Sequence, residues 1–82
     1  MRTIAPVRSI STIAFEIASD WKKVNFAARP YLDAMYSLEK ITDNYGFDSA
    51  RSVVTYFLCN ASSWKGEVAK RVKAELKSML KR

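Results

Sequence analysis

The chain contains no histidine and only one cysteine among its 82 residues. Histidine is the usual general base and a common zinc ligand, so its absence excludes Ser-His and Cys-His nucleophile pairs and all His-based metal sites. One cysteine cannot form an internal disulfide or a CxxC redox motif. We therefore expect no catalytic residues, metal, cofactor or small-molecule substrate, and we predict that Cys59 is a small buried hydrophobic residue.

Glycine is also scarce, and the two glycines cannot form a phosphate-binding GxGxxG or Walker-type loop. The acidic residues do not indicate a metal or acid–base site, because pairs of carboxylates without a third convergent ligand are usually solvated. Two such pairs stand at helical spacing: Glu16 with Asp20, and Glu39 with Asp43. The sequence therefore predicts a protein that is not an enzyme.

No run of apolar residues approaches the roughly 20 needed to cross a bilayer, and no secretory leader is recognisable. We therefore expect a soluble, cytoplasmic protein with no membrane contact. A hydrophobic content of 49% argues against general disorder, so we predict one folded domain over residues 1–82. A core of this size supplies only about 3–5 kcal/mol of net stability, which keeps a homodimer open as an alternative.

Apolar residues recur at helical spacing in four segments. Ser9 or Ser11 is expected to cap the first helix, and Gly46 to stop the second. The four predicted helices cover approximately residues 10–23, 30–45, 48–61 and 64 to the end of the chain. We therefore predict an all-α, compact four-helix domain preceded by an extended N-terminal arm at residues 1–8.

The third predicted helix, with Asp48 as its expected N-cap, has almost no polar face. A helix that is apolar nearly all round must be covered by its neighbours, so we expect a buried third helix at the centre of the domain. A strand over residues 53–59 is the alternative, because this run is rich in β-branched and aromatic residues.

Positive charge is concentrated towards the C-terminus. The net charge is +6, and residues 64–82 supply +5 of it through seven Lys/Arg and two Glu. Four lysines of the fourth helix fall within a sector of about 80°, on the side opposite the apolar stripe, and rise about 16 Å along the helix axis: Lys70, Lys73, Lys77 and Lys81. Such a ridge suits nucleic-acid phosphates, although lysines near a helix C-terminus also complement the helix dipole. No Arg, Asn or Gln cluster opens this helix, which favours phosphate contact over base readout.

Phe15 lies on the first predicted helix but away from its apolar stripe. We expect its ring either to be packed by the N-terminal arm or to be exposed as a contact for a partner. In the second case, the partner could be another copy of the chain.

Four blocks carry a resemblance: YLDAM at 31–35, YGFDSA at 45–50, YFLCNASSWKGE at 56–67 and KAELKSML at 73–80. Over roughly residues 10–81 the chain is similar to small uncharacterised helical proteins encoded by phages and integrative mobile elements of Gram-positive bacteria. The resemblance implies an accessory protein in the cytoplasm of a bacterial host cell. It also implies stoichiometric binding to host machinery, including inhibition of defence nucleases such as CRISPR effectors.

Together these observations predict a non-enzymatic binding protein that acts through its basic C-terminal helix on a nucleic acid or a host nucleoprotein. The alternative is a structural or interaction protein that works as a helical homodimer without a nucleic-acid role. A membrane-surface helix is a weaker third hypothesis, because the apolar stripe of the fourth helix is needed to close a small core.

Overall fold

The computed structural model describes residues 8–81, which form four α-helices and one short β-hairpin. The elements in chain order are α1 (Ile10–Asp20), α2 (Arg29–Met35), β1 (Asn44–Tyr45), β2 (Asp48–Ser49), α3 (Ala50–Cys59) and α4 (Glu67–Leu80). The prediction of a mainly helical chain with four helices is confirmed, whereas the hairpin was not predicted. The predicted N-terminal arm lies outside the described residues except for Arg8.

Helix α1 begins as the sequence predicts. The Ser9 hydroxyl accepts a hydrogen bond from the Thr12 N–H at 3.1 Å, which caps the first turn. The helix ends at Asp20 rather than near Lys23, and the buried Trp21 follows it directly. The residues of its apolar stripe are fully buried: Ile10, Ile13, Ala14 and Ile17.

The prediction of a second helix over residues 30–45 is wrong beyond Met35, where α2 ends. In the turns that follow, the carbonyl oxygens of Leu38 and Glu39 accept hydrogen bonds from the N–H groups of Ser11 and Ile10 at 2.8 and 2.9 Å. These carbonyls therefore serve the unpaired N–H groups of the first turn of α1 instead of extending α2. A tertiary contact thus replaces the helix that the apolar spacing predicts.

Asp43 fixes the remainder of this connection. Its Oδ2 atom accepts hydrogen bonds from the N–H groups of Glu39 and Lys40, both at 3.0 Å. Both bonds stabilise the carboxylate and therefore lower the pKa of Asp43. The bond from the Lys40 N–H has the larger effect. The side chain predicted to be part of a solvated helix face instead closes a local turn.

A tight hairpin joins this connection to α3. Tyr45 pairs with Asp48, which leaves Gly46 and Phe47 as the two-residue turn. Gly46 has φ +62°, and a two-residue turn with glycine first is typical of type II′ hairpins. The glycine predicted to stop a helix therefore turns a hairpin.

The third predicted helix is present as α3, but its N-cap is Ser49 rather than Asp48. The Ser49 hydroxyl accepts a hydrogen bond from the Ser52 N–H at 3.1 Å. One face of α3 is buried and consists of Ala50, Val53, Val54 and Phe57. The sequence predicts that neighbouring elements cover the whole of α3, but only this face is buried. The prediction of a buried Cys59 is wrong, because this residue is exposed. It lies about 200° around the helix from the fully buried Phe57, so it points away from the core.

Helix α4 starts later than predicted. Gly66 is its N-cap, with φ +113°, and Glu67 is its first residue. Trp64 is therefore buried by the loop rather than as part of the helical stripe. Positive φ at Gly66 turns the chain sharply between Trp64 and α4, a conformation that other residues rarely adopt.

The core lies between the four helices. The principal helix contacts join α1 to α2, α2 to α3, α3 to α4 and α4 back to α1. Side chains from all four helices and from the loops beside them meet in one cluster, in which Phe57 is the largest of the fully buried side chains. Within residues 8–81, no helix is long and apolar enough to cross a bilayer.

Candidate polyanion-binding site

The lysines predicted to form a ridge lie together on one flank of α4. Lys70, Lys77 and Lys81 are exposed, whereas Lys73 is half-buried. The buried residues of α4 are Ala69, Val72, Leu76 and Met79. At about 100° per residue the lysines are centred roughly 120° from this buried stripe, and not directly opposite it as predicted. The ridge therefore runs beside the core edge, next to the loop that carries Trp64.

Lys73 is held in place by this loop. Its Nζ atom donates a hydrogen bond to the Trp64 carbonyl oxygen at 2.6 Å and lies 5.9 Å from the centroid of the Trp64 ring. Burial lowers the pKa of Lys73, and the positive charges of Lys77 and Lys65 lower it further. Lys73 thus has a structural contact that the helical pattern did not reveal, and it lies in a locally positive field.

Trp64 gives this side of the molecule a rigid base. Its side chain is only 2% exposed, and its ring stacks on that of Trp21 with centroids 5.7 Å apart and an interplanar angle of 10°. The ring of Phe57 meets it edge-on at 6.5 Å. The indole Nε1 donates to Asp20 Oδ2 at 2.8 Å, so the polar atom of the buried indole is also paired.

A cavity of about 330 Å³ opens between this loop and the start of α4. It is lined by Trp64, Lys65, Gly66, Ala69, Lys70 and Lys73. Sequence analysis missed Lys65 because a helix that begins at residue 64, as predicted, places Lys65 about 120° away from the centre of the lysine sector, whereas in the structure Lys65 precedes α4. The structure brings Lys65 to the same cavity as two lysines of the predicted ridge.

The opposite flank of α4 has its charges paired. Arg8 donates to both carboxylate oxygens of Glu75, from Nε at 3.0 Å and from Nη2 at 2.6 Å. Its Nη1 atom lies 2.8 Å from Glu16 Oε1, and Arg71 donates to Glu16 Oε2. The hydrogen bond that Arg71 donates lowers the pKa of Glu16, and the hydrogen bonds that Arg8 donates to Glu75 raise the pKa of Arg8. Each arginine is thus neutralised within the fold.

The lysine flank has no comparable pairing with any of the residues that the structure describes. Among residues 8–81, every ion pair joins Arg8 or Arg71 to Glu16 or Glu75. The ammonium groups of the ridge are therefore available to an external anion without the loss of an internal ion pair.

A second cavity, of about 450 Å³, lies at the other end of α4 and is lined by Arg8, Glu39, Lys40, Ile41, Thr42, Arg51 and Met79. Two of its cationic groups are engaged. Arg8 binds the two glutamates described above, and Arg51 Nη1 donates to the Leu80 carbonyl oxygen at 3.1 Å. The charges of Arg8 and Arg51 in this second cavity are therefore engaged by contacts within the fold, and the cavity is less open to an external anion.

Phe15 is 66% exposed, and its ring centroid lies 4.9 Å from that of Tyr36. The predicted packing by the N-terminal arm lies outside the described residues, and the predicted partner contact is untested. Other exposed aromatic residues were not singled out from the sequence: Phe26, Tyr45, Phe47 and Tyr56. Tyr45 lies in β1 and is exposed, whereas the predicted second helix over residues 30–45 includes it.

The chemical character of this surface is set by its positive charge. In the part of the chain that the structure describes, no group of three or more acidic or cysteine side chains could hold a metal ion. What the surface offers is a row of ammonium donors beside a fixed aromatic loop.

Comparisons with known proteins do not narrow the function further. No family model, curated protein or solved structure matches the chain. The resemblance to phage and mobile-element proteins therefore stays a prediction.

Proposed function

We propose that this protein is a non-enzymatic binding protein that contacts nucleic-acid phosphates through its basic C-terminal helix, α4. The observation that carries the proposal is the asymmetry between the two flanks of α4. The arginines of one flank are paired with carboxylates, whereas the exposed lysines of the other have no ion-pair partner among residues 8–81.

The spacing of these lysines suits a phosphate backbone. From Lys70 to Lys81, eleven residues of helix rise about 16 Å, which covers about five phosphate steps of 3.4 Å along one DNA strand. Exposed ammonium groups gain binding free energy by releasing the counterions condensed on the nucleic acid. No ion pair among residues 8–81 engages these ammonium groups, so their charge is available to the ligand.

The resemblance to phage and mobile-element proteins supports a narrower form of the proposal. In that form the target is a host nucleoprotein in the bacterial cytoplasm, and binding inhibits a defence nuclease in the manner of an anti-CRISPR protein. The helix α4 would then contact the bound nucleic acid, while α3 maintains the fold beneath it.

The experiment compares wild type with a triple variant, Lys70→Gln, Lys77→Gln and Lys81→Gln. Lys73 is left unchanged because its bond to the Trp64 carbonyl serves the fold. The matched control removes the same charge elsewhere, by Lys23→Gln, Arg29→Gln and Lys40→Gln, three exposed residues outside α4. Fluorescence anisotropy with a labelled DNA duplex and a single-stranded RNA is measured between about 50 and 200 mM salt.

We expect wild type to bind with an affinity that falls linearly on a logarithmic salt axis. The α4 variant should lose up to about 2.7 units of slope on duplex DNA, about 0.9 for each lysine, whatever the sequence. The control should keep most of the wild-type slope. Absence of wild-type binding at low salt rejects nucleic acid as the ligand, and equal losses in both variants reject α4 as the contact surface.

The exposed aromatic residues favour a second candidate function, that of a homodimer without a nucleic-acid role. Phe15 is 66% exposed on α1, and large aromatic side chains are enriched at protein interfaces. In this case the exposed face of α1 would contact the same face of a second copy.

A further inference from the structure

We propose that the cavity between Trp64 and the start of α4 is a phosphate-binding subsite, in which the side chains of Lys65, Lys70 and Lys73 hold one phosphate group. This inference rests on the proposed function and deepens it, because it assigns one fixed anchoring point on a surface otherwise made of exposed lysines. The volume of the cavity, about 330 Å³, is large enough for a phosphate group and the water molecules that stay bound to it.

The cavity has a rigid wall. Trp64 is fixed by its stack on Trp21, by the edge of Phe57 and by its hydrogen bond to Asp20. Gly66, with φ +113°, joins Lys65 to the first residue of α4, and all three parts of the chain border the cavity through Lys65, Gly66 and the first turns of α4. Ala69, which also lines the cavity, has only a methyl group as its side chain.

One of the three ammonium groups is already oriented. Lys73 uses one of its donors on the Trp64 carbonyl oxygen, which leaves two N–H groups for a ligand. Burial lowers the pKa of Lys73 most, and repulsion from the positive charges of Lys77 and Lys65 lowers it further. A bound anion would relieve this repulsion, and a preoriented donor loses little freedom when it binds.

The donor set suits phosphate in particular. Three ammonium groups match the charge and the several oxygens of a phosphate, for which lysine is a common point-charge ligand. A base is a poor fit, since Trp64 is 2% exposed and Trp21 is stacked on its ring. The ligand contacts come from lysine side chains and not from the end of the helix, whose first turn already carries the carboxylate of Glu67.

The test uses the full chain and inorganic phosphate as the probe. NMR amide shifts are followed in a phosphate titration at constant ionic strength, with chloride as the balancing anion. We expect saturable shifts centred on residues 64–73. The variant Lys65→Gln with Lys70→Gln should lose about tenfold or more in phosphate affinity, while the charge-matched control Lys23→Gln with Arg29→Gln should bind as wild type does.

Two oligonucleotide arms identify the source of the phosphate. If a 5′-phosphorylated strand binds wild type better than the 5′-hydroxyl strand, and the cavity variant abolishes the difference, the ligand is a terminal phosphate. If both strands bind wild type equally and both lose affinity in the cavity variant beyond the control, it is a backbone phosphate. Either result supports the subsite.

Other outcomes overturn it. Shifts centred away from residues 64–73, or equal loss in the cavity variant and its control, reject the subsite even when the duplex still binds with a strong salt dependence. Conversely, saturable phosphate binding in the cavity without any duplex binding keeps the subsite and rejects the proposed nucleic-acid function. The two failures are therefore distinguishable.

Discussion

The indole Nε1 of Trp64 donates a hydrogen bond to Asp20 Oδ2 over 2.8 Å, and this contact ties the end of α1 to the loop that precedes α4. The two residues are 44 positions apart in the chain, so the bond closes a long loop. The same loop carries the carbonyl oxygen that orients Lys73. The geometry of the candidate site therefore depends on a contact made by α1.

Replacement of Asp20 should test this dependence. In Asp20→Ala the buried indole N–H loses its acceptor, and we expect the free energy of unfolding to fall by about 1–3 kcal/mol. Asp20→Asn keeps an acceptor oxygen and should cost less. Urea unfolding followed by tryptophan fluorescence measures both variants. Equal stability of Asp20→Ala and wild type would show that the bond contributes nothing to the fold.

Phe57 should be the residue on which the core depends most. It is fully buried, and Phe57→Ala should cost about 3–5 kcal/mol through the cavity it leaves. Since a domain of this size has little stability to lose, the variant should be largely unfolded at 37 °C. Circular dichroism on heating provides the measurement.

The neighbouring aromatic residue of α3 supplies the control. Tyr56 is 53% exposed and its ring contacts that of Tyr31 with centroids 5.5 Å apart. Tyr56→Ala should therefore lose only about 0.5–1.5 kcal/mol, the value of an aromatic pair, plus a small burial contribution. If both variants lowered the thermal midpoint equally, burial would not explain the role of Phe57.

The contrast between α1 and α2 shows what local pattern can predict. Ser9 and the regular spacing of isoleucines are signals within one helix, so the start of α1 and its buried stripe could be predicted from sequence. The end of α2 could not, because the carbonyl groups of Leu38 and Glu39 are taken by α1, far away in sequence. The run NYGFDS does contain a hairpin signal, a glycine between residues that pair, but the apolar spacing around it outweighed that signal.

The candidate site shows the same division. The row of lysines follows from helical spacing alone, since all four lie within α4 or directly after it. The pairing of Glu16 and Glu75 with Arg8 and Arg71 does not, because it brings together side chains from α1, α4 and the residue before α1. The position of Lys65 depends on the turn at Gly66, and the exposure of Cys59 on which face of α3 meets its neighbours.

The ion pairs that Arg8 and Arg71 form with glutamates beside α4 should make the stability of the protein depend on pH. The hydrogen bond from Arg71 and, after it, the ion pair with Arg8 hold the pKa of Glu16 below its ordinary value of 4.5. A carboxyl whose pKa is lowered by folding stabilises the protein fully above its unfolded pKa, and this contribution is lost as the pH falls through the folded pKa. We therefore expect loss of stability below about pH 4.5.

Glu16→Gln isolates this contribution. Near neutral pH the variant should be less stable than wild type by about 1 kcal/mol, as expected for a partly exposed ion pair. The difference should shrink as the pH is lowered below 4.5, because wild type then loses the same charge. Urea unfolding at a series of pH values measures it, and a difference that stays constant down to the acid limit would contradict the assigned role of Glu16.

The molar mass in solution tests whether the exposed face of α1 binds a second copy of the chain. Phe15 is partly covered by Tyr36, so its ring alone buries too little area for a stable interface, and a dimer would need about 600–1,000 Å² from each copy. If that face is an interface, light scattering at high concentration should give about twice the 9.3 kDa mass of one chain. Phe15→Glu should then restore the single-chain mass, because it places a charge in the contact. Phe47→Glu, the same change at the exposed hairpin turn, should leave the dimer intact. A mass of one chain at every concentration would reject the dimer and leave the lysine flank of α4 as the candidate working surface.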